Sequence, residues 1–433
     1  MDKTFNIITL GCKVNQYESE AVEEIFKEKG YKKAEDKADI YVINTCTVTN
    51  MSDRKSRQMI SRARKENPDS IIAVMGCYSQ VKPEEVAKIK GVDLVLGSRN
   101  KEEVVGLCED ILQNKNVSDK VISIPETKSI EELEISNQDS MTRAYMKIQD
   151  GCNMYCSYCL IPYARGNIVS RDLGLIKEEA KRLSQNGYKE IVLTGIHVAS
   201  YGKDLKGEDL SLINVIEEVA KIKGIERIRL SSMEPRHITK DFLLRMKASK
   251  KACDHFHLSL QSGSDKILKA MNRKYDTGLF KEKVDLIREV FPNAGLTTDI
   301  IVGFPSETDE DHKDTCNFVK EIKFAKTHLF KYSKRDGTKA ASMGEQVDGN
   351  IKKARLKELE AIEEDIRIDF LKDQIGRDLS VLFEGKSDKE GYKSGYSTNY
   401  LRVNIKGDIR TNQILKVRIK GLLGDQLEGE IID

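Results

Sequence analysis

The sequence contains no tryptophan, only seven prolines and 6% aromatic residues in 433 positions. It also has no segment rich in Gly and Ser or in Gln and Asn, so low-complexity and disordered classes are excluded for most of the chain. No apolar run approaches the roughly 18 residues of a membrane-spanning helix. The first residues lack the basic stretch and the apolar stretch of a secretion signal. We therefore expect a soluble, cytoplasmic protein.

An excess of charge of one sign is also missing. The chain has 72 Lys and Arg against 70 Asp and Glu, a formal net charge of +2. This excludes a protein that binds nucleic acid through its overall charge, so any such contact must come from local patches. The nine cysteines are an odd number, and the cytosol keeps thiols reduced. Reactive or metal-binding roles are therefore favoured over a disulfide framework.

The length predicts two to four domains, and residues 1–125 form the first. In this part short apolar runs alternate with amphipathic helical patterns, which is typical of a doubly wound parallel sheet in an α/β domain. Residues 126–140 carry five acidic residues and one Lys and read as a linker. The apolar runs of the first domain are 5–10, 39–44, 71–76 and 93–97.

Residues 141–370 contain six further βα units, and residues 371–433 change to a strand-like alternation. Six units are too few for a closed eight-stranded barrel, but they suit a partial (βα)6 barrel with reactive groups at the carboxyl ends of its strands. A flat doubly wound sheet is the alternative. An amphipathic helix is predicted between Asn350 and Gly376, before a small all-β barrel. The six expected strands are 144–148, 191–194, 227–231, 256–260, 296–302 and 327–332.

Three cysteines, Cys152, Cys156 and Cys159, follow the first strand of the second domain with C-x3-C-x2-C spacing. This spacing places three thiolates on one tight loop. A structural zinc ion would need a fourth ligand, usually from a second Cys pair, and no such pair lies nearby. Three thiolates on a four-iron cluster leave one iron open for a reactive substrate. The triplet therefore indicates an iron-sulfur site.

Three other cysteines, Cys12, Cys46 and Cys77, are far apart in sequence, but each follows an apolar run of the first domain. Parallel strands would bring all three to one edge of the sheet. We interpret them as ligands of a second cluster with an open iron. The remaining cysteines, at positions 108, 253 and 316, show no such pattern and are expected to pack in the interior.

The C-x3-C-x2-C triplet, with Tyr158 before the last cysteine, resembles the signature of the radical S-adenosylmethionine (SAM) superfamily. In that family the open iron chelates SAM, and one-electron reduction cleaves SAM to methionine and a 5'-deoxyadenosyl radical. With the N-terminal three-cysteine domain, essentially the whole chain resembles the methylthiotransferase family, and its C-terminal module looks like the RNA-binding TRAM domain. The segments that carry this resemblance are 10–18, 44–46, 76–78, 152–159, 231–235, 259–264 and 298–306.

Within that family, the segment Cys12-Lys-Val-Asn-Gln-Tyr-Glu18 is similar to the branch that modifies N6-threonylcarbamoyladenosine at position 37 of tRNA. Sister branches act on the isopentenyl form of this adenosine or on an aspartate of a ribosomal protein, and they usually differ after this cysteine. The resemblance implies methylthiolation at C2, with two [4Fe-4S] clusters and SAM as cofactors. One SAM would give the methyl to sulfur on the N-terminal cluster, and a second SAM would give the radical.

The implied partners are the tRNA anticodon loop and an electron donor such as a flavodoxin or a ferredoxin. A rival interpretation of another class is a non-enzymatic iron-sulfur RNA-binding protein that senses iron or oxygen. The complete SAM-cleaving triplet within six βα units argues against that alternative.

The strand ends of the second domain are expected to hold SAM. The segment that ends at His197 departs from the Gly-Gly-Glu common elsewhere in the superfamily, so His197 and Glu234 are both candidates for the methionine amino group. Arg273 could pair with the SAM carboxylate. His255 and His257 are expected to be structural. The expected SAM contacts are Tyr158, Gly195, His197, Glu234, Gln261, Ser262 and Arg273.

Two local basic patches are candidates for RNA contact. The first is the set Arg54, Lys55, Arg57, Arg62, Arg64 and Lys65, which follows Cys46 on a predicted helix. The second is 386–420, with nine Lys and Arg against three Asp and Glu. Because Tyr392, Tyr396 and Tyr400 are interleaved there, backbone tracking combined with base stacking is plausible.

Overall fold

The structure is a computed structural model, and it describes residues 3–115, 117–119, 121, 130–135, 142–386 and 389–432. Three units follow one another along this chain: an N-terminal sheet, a central set of βα units and a C-terminal barrel. Within the described ranges, no helix is long and apolar enough to cross a membrane.

The N-terminal unit is a parallel sheet with strand order β2-β1-β3-β4-β5. Successive residues of its central strands are buried against opposite helical layers, because side chains alternate across a strand. Val42 and Ala73 pack with α1 and α5, whereas Ile43 and Ile72 pack with α2. The predicted doubly wound domain is confirmed. Its elements are β1 (Thr4–Thr9), α1 (Lys13–Glu28), β2 (Lys32–Lys33), β3 (Ile40–Thr45), α2 (Asn50–Glu66), β4 (Ile71–Gly76), α3 (Cys77–Val81), α4 (Pro83–Ala87), β5 (Leu94–Val95) and α5 (Val104–Leu112).

The linker expected at 126–140 lies partly outside the described residues. In its described part, Leu133 and Ile135 are buried with Tyr17 and Ala21 of α1. This part of the connection is therefore packed against the N-terminal domain, although its acidic composition suggested an exposed tether.

The central unit begins with β6 (Arg143–Asp150) and contains the six parallel strands that the sequence predicts, together with a short antiparallel strand, β7, that it did not predict. Strands β6, β8 and β9 form one parallel group, and β10, β11 and β12 form another. Isolated parallel bridges, such as Met233 to Leu258, join the two groups. The other strands are β7 (Val169–Ser170), β8 (Glu190–Gly195), β9 (Arg227–Leu230), β10 (His255–His257), β11 (Gly295–Val302) and β12 (Lys326–Lys331).

One side of these strands packs against helices to form a single large core, in which Met146, Leu193 and Phe256 are buried. The alternate residues are mainly polar and face the other side, which is enclosed as the interior of a partial barrel. A flat doubly wound sheet would have a second helical layer there, so this alternative is wrong. The helices are α6 (Ile161–Arg165), α7 (Leu173–Gln185), α8 (Leu212–Ala220), α9 (Lys240–Ala248), α10 (Asp265–Ala270), α11 (Thr277–Val290), α12 (Asp309–Ile322) and α13 (Gly349–Lys372).

Helix α13 is the amphipathic helix expected between Asn350 and Gly376. Leu359 is buried in the core of the central unit, with Ile362 and Ile366 packed beside it. Phe370, near the end of α13, contacts the core of the C-terminal barrel instead. The helix thus joins the two units.

The C-terminal unit is a closed five-stranded barrel with order β13-β14-β15-β17-β16, as the sequence predicts. The turn between β14 and β15 inserts at the amino-terminal ends of the central strands. Arg229 donates to the carbonyl of Thr398 (2.9 Å), and the Asn399 amide donates to the carbonyl of Asn293 (3.2 Å). The C-terminal barrel therefore closes one end of the central barrel. Its strands are β13 (Asp378–Lys386), β14 (Tyr392–Ser397), β15 (Arg402–Lys406), β16 (Ile414–Leu423) and β17 (Gln426–Ile431).

Candidate active site

The first three-cysteine set lies at the carboxyl edge of the N-terminal sheet. Thr9 pairs with Asn44, and Asn44 pairs with Met75, so β1, β3 and β4 end at one level. Cys12 is the N-cap residue of α1, Cys46 follows β3, and Cys77 is the first residue of α3. The strand-end rule thus places the three thiols at one edge, as the sequence predicts.

The approach of the strand ends requires glycine before two of the cysteines. Gly11 has φ +111°, and a Cβ at this position would lie 2.8 Å from the Cβ of Cys46. Gly76 has φ +104°, and its Cβ would lie 2.6 Å from the carbonyl oxygen of Thr45. A side chain at either position would be strained and would push the loops apart.

Asn15, which sequence reasoning did not single out, ties these loops together. Its Nδ2 donates to the carbonyls of Leu10 and Thr45, both at 2.9 Å. Its Oδ1 accepts from Arg165 at 2.8 Å. Asn15 is buried and connects the ends of β1 and β3 with a residue of the central unit.

Arg165 connects the N-terminal cysteine set with the central unit. It ends α6, the short helix that follows Cys159, and its Nε donates to the Sγ of Cys77 at 3.2 Å. Burial raises the pKa of Cys77 to about 11, Arg165 opposes this rise, and Cys12 and Cys46 add to it. The mutual effect of the three thiols on this pKa reflects how close together they lie.

Arg165 also belongs to a buried ion network between the N-terminal and central units. Arg165 and Lys147 contact both Glu18 and Asp150, with Lys147 at 3.0 and 3.1 Å. Lys101 lies 3.2 Å from Glu18. Burial opposes ionisation of Glu18, but these three cations hold its pKa well below the usual range. The network fixes the two units relative to each other. Its members are Glu18, Arg99, Lys101, Glu131, Lys147, Asp150 and Arg165.

The second set, Cys152, Cys156 and Cys159, lies on the loop after β6. Backbone hydrogen bonds fix this loop, because Cys152 N–H donates to Gly166 O (2.9 Å) and Cys159 N–H donates to Cys156 O (3.0 Å). Arg273 donates to the Sγ of Cys156 at 3.1 Å. Burial raises the pKa of Cys159 to about 12, and the thiols of Cys156 and Cys152 add to the rise.

The thiols of neither cysteine triplet are arranged around a single metal ion. One tetrahedral zinc with Zn–S bonds of about 2.3 Å holds its sulfurs about 3.8 Å apart. Among the described residues, which include all nine cysteines, the groups of three potential ligand atoms within 4.8 Å of one another do not include either cysteine triplet. In a cubane each thiolate binds a different iron, so its sulfurs stand farther apart.

The other three cysteines are buried, Cys108 and Cys253 at 0% and 1% exposure and Cys316 at 4%. The prediction that they pack in the interior is confirmed.

Two of the expected SAM contacts, His197 and Glu234, lie together after β8 and β9. His197 Nε2 is 3.8 Å from a carboxylate oxygen of Glu234, and Arg236 pairs with the same carboxylate at 2.8 Å. Burial, followed by the charge of His237, lowers the pKa of His197 to about 4, so its ring is neutral near pH 7. Its Nε2 is buried without a hydrogen-bond partner among the described residues. This nitrogen is free to meet a ligand.

Arg273 lies beside the cysteine loop. Besides Cys156, its guanidinium contacts the hydroxyl of Tyr275 at 2.9 Å. The expected contact with the SAM carboxylate stays a prediction, and the described partners place Arg273 next to the Cys156 thiol.

The other four candidates have protein neighbours that account for them. A Cβ on Gly195 would lie 2.8 Å from the carbonyl of Gln149, so strand packing explains this glycine. The Tyr158 ring packs against Phe304 at 6.4 Å between centroids. Gln261 N–H donates to Asp299 O (2.8 Å), and Ser262 is buried with its Oγ 3.3 Å from Thr315 Oγ1. Contact with SAM stays a prediction for all four.

A cavity of about 680 Å³ lies within the central barrel and is lined by residues of all three units. The N-terminal domain contributes Lys13, and Ser231 and Ser232 come from the end of β9. The C-terminal barrel contributes Tyr400 and Arg402. The wall formed by β10, β11 and β12 consists of interior-facing residues, namely His255, His257, Thr297, Asp299, Lys326 and His328.

Hydrogen bonds order this polar wall. His255 Nε2 and His257 Nδ1 lie 3.0 and 2.9 Å from the Thr297 hydroxyl. His257 Nε2 lies 3.1 Å from a carboxylate oxygen of Asp299. The two histidines have structural partners, as expected, and they also line the cavity, which their sequence pattern did not reveal.

The basic helix patch is only partly available for RNA. Arg57 contacts Tyr78 and Glu85, Arg62 pairs with Glu66, and Arg64 binds Asp93 and nearby carbonyls. The remaining members, Arg54, Lys55 and Lys65, are exposed.

The tyrosines of the C-terminal barrel are arranged differently from the expected stacking platform. Tyr396 and Tyr400 stack on each other at 4.9 Å, with Arg143 over both rings, and line the cavity. Tyr392 donates to Glu428 at 2.8 Å. Tyr396 and Tyr400 therefore face the cavity, because the β14–β15 turn inserts at the end of the central barrel, and base stacking by these tyrosines stays a prediction.

Two family models match the chain. The Radical SAM superfamily matches residues 146–319, and a family described as Uncharacterized protein family UPF0004 matches residues 4–97.

Relatives match over most of their length. The chain is 42% identical to Threonylcarbamoyladenosine tRNA methylthiotransferase MtaB of Bacillus subtilis, over 95% of this chain and 92% of the relative. It is 39% identical to tRNA-2-methylthio-N(6)-dimethylallyladenosine synthase of Natranaerobius thermophilus, over 100% of this chain and 97% of the relative.

The fold is similar to that of the radical S-adenosylmethionine methyltransferase TsrM from Kitasatospora setae, with a TM-score of 0.58. The alignment covers 79% of this chain and 77% of that chain at 13% identity. This likeness concerns the fold alone.

Proposed function

The chain belongs to the radical SAM methylthiotransferase family, and from this premise we propose that it adds a methylthio group to C2 of N6-threonylcarbamoyladenosine 37 in tRNA. The observation that supports the proposal is that Arg165, at the end of the helix after the second cysteine triplet, contacts Cys77 of the first, while Lys13, next to Cys12, lines a polar cavity. A methylthiotransferase needs both a source of radicals and a second sulfur-bearing site next to its substrate.

In this proposal, Cys152, Cys156 and Cys159 hold the SAM-binding [4Fe-4S] cluster, and the N-terminal set, Cys12, Cys46 and Cys77, holds a second one. When bound, the first cluster with SAM would provide the radical chemistry, and the second cluster would hold the sulfur. The residues of the chain bind the cofactors and the substrate and orient them. Asn15 and Arg165 fix the loops, and the barrel interior excludes water from the reacting carbon.

The proposed division of labour follows the three domains, which we place at 1–125, 141–370 and 371–433. The tRNA must present its base out of the anticodon stack, because a stacked base cannot enter an enclosed cavity. Exposed Lys406 and Arg410 of the C-terminal barrel are suited to phosphate contact.

A flavodoxin or ferredoxin is the proposed electron donor, and the proposed location is the cytoplasm.

A second candidate substrate is the dimethylallyl form of the same adenosine, favoured by the 39% identity to the Natranaerobius protein. The cavity wall argues for the threonylcarbamoyl form. A dimethylallyl group is apolar, and burying it against charged and hydrogen-bonding side chains would leave these groups without polar partners. A ribosomal-protein aspartate has no specific observation in its favour, and a sensor would have no use for the cavity.

The test uses reconstituted protein, SAM, a reductant and anticodon stem-loop RNA carrying either modified adenosine. Mass spectrometry of the nucleosides should detect the methylthio product from the threonylcarbamoyl RNA. Changing Cys12, Cys46 and Cys77 to Ala should abolish this product while 5'-deoxyadenosine still forms. Product from the dimethylallyl RNA alone would contradict the substrate assignment. Product formation by the triple variant would contradict the role of the N-terminal set.

A further inference from the structure

Lys13 projects into the cavity from the N-terminal domain. It is the first residue of α1 and directly follows Cys12, so the helix start fixes its direction. Its Nζ lies 5.9 Å from the centre of the Tyr145 ring on β6, and its side chain lines the cavity. The residue is thus placed between the N-terminal cysteine site and the interior of the central barrel.

The ammonium group of Lys13 differs from the other cations around the cavity in its partners. Lys326 lies 3.3 Å from Glu363, and Arg367 lies 3.8 Å from Asp425. Arg402 donates to the Ser394 hydroxyl at 3.2 Å. Among the residues described by the structure, Lys13 forms no ion pair with a carboxylate. A partly buried cation without a counter-ion is unfavourable, because desolvation is not offset by an opposite charge. Lys13 is therefore placed to pair with an anion that enters the cavity.

Because Lys13 lines the cavity, an anionic group of a substrate bound there can reach its ammonium group. The threonylcarbamoyl group carries one carboxylate and one hydroxyl, whereas a dimethylallyl group carries neither. His257, Asp299 and His328 line the same cavity and offer donors and acceptors for a hydroxyl. The charge of the site and the charge of this substituent are complementary.

We propose that Lys13 is the specificity-determining residue that binds the threonyl carboxylate of the substrate. This inference rests on the proposed function and names the contact that separates the two adenosine substrates. Because Lys13 adjoins Cys12, substrate recognition and the N-terminal sulfur site are coupled through one helix start.

The test compares two forms of the anticodon stem-loop RNA, one with the threonylcarbamoyl free acid and one with its neutral methyl ester. The proteins are wild type, Lys13→Met, Lys13→Arg and the control Lys27→Met, which changes an exposed lysine at the other end of α1. Wild type and K27M should prefer the acid about 10- to 100-fold in kcat/KM, as expected for a charged hydrogen bond. In K13M the acid-to-ester ratio should fall to near one, and in K13R part of the preference should return.

The outcomes separate the inference from the function. Equal use of acid and ester by wild type would overturn the role of Lys13 while leaving the function intact. No product from either RNA would instead contradict the function. Iron content and RNA affinity are measured for every variant. If K13M loses iron, or retains the wild-type acid preference, Lys13 serves the Cys12 site or the fold, and the inference is wrong.

Discussion

Replacing Arg165 with Met should weaken the junction between the N-terminal and central units. Arg165 is fully buried and contacts Glu18, Asp150, Asn15 and Cys77. Removing one partner of a buried ion pair costs about 3–5 kcal/mol.

The lower end of that range applies here, because both carboxylates keep other cations. Glu18 keeps Lys101 at 3.2 Å and Lys147 at 3.0 Å, and Asp150 keeps Lys147 at 3.1 Å. We therefore expect Arg165→Met to lower the free energy of unfolding by about 3 kcal/mol. Arg165→Lys should lower the free energy of unfolding by less, because lysine keeps the positive charge. Some loss should remain, because lysine cannot reach all four partners.

The assay is anaerobic urea denaturation of cluster-free protein, followed by far-ultraviolet circular dichroism. The control is Arg62→Met, the same substitution in an exposed pair with Glu66 on α2, for which no measurable loss is expected. A loss of less than about 1 kcal/mol for Arg165→Met, where a broken buried pair should cost about 3, would refute the reasoning. The network would then contribute no more to stability than exposed ion pairs do.

Three further outcomes are expected. Because the pKa of Glu18 is lowered by folding, its contribution is present above the unfolded pKa and is lost as the pH falls. Below about pH 4 the unfolding free energy of wild type should therefore fall more steeply than that of Glu18→Gln, by about 1.4 kcal/mol per pH unit. Changing the three cysteines of segment 152–159 to Ala should halve an iron content of about eight per chain. An unchanged iron content would contradict the assignment of these cysteines as cluster ligands. Changing Lys406 and Arg410 to Glu should weaken tRNA binding and reduce its salt dependence, and an unchanged salt slope would place the RNA contact elsewhere.

Most of the fold could be predicted from local patterns. The apolar runs are buried parallel strands, and the hydrophobic period of 3.6 locates α13. The positions of Cys12, Cys46 and Cys77 followed from one topological rule, that parallel strands end at a common edge. Strand β7 was not predicted, because its two residues, Val169 and Ser170, are too few to show a hydrophobic alternation.

The contacts that assemble the site could not be predicted, because they join residues far apart in sequence. Arg165 reaches Cys77, and the turn around Asn399 enters the central barrel beside Gly295, where a Cβ would lie 2.0 Å from the Asn399 carbonyl. No local pattern encodes such a docking. For the same reason, the sequence did not reveal that Tyr396 and Tyr400 line the cavity.

The most direct test of the central claim is nucleoside mass spectrometry of tRNA from a strain that lacks this gene and from the same strain complemented with it. We predict that 2-methylthio-N6-threonylcarbamoyladenosine disappears without the gene, that its unmethylthiolated precursor accumulates, and that complementation restores the product. Persistence of that product in the deletion strain, or loss of only the methylthiolated dimethylallyl nucleoside, would contradict the account.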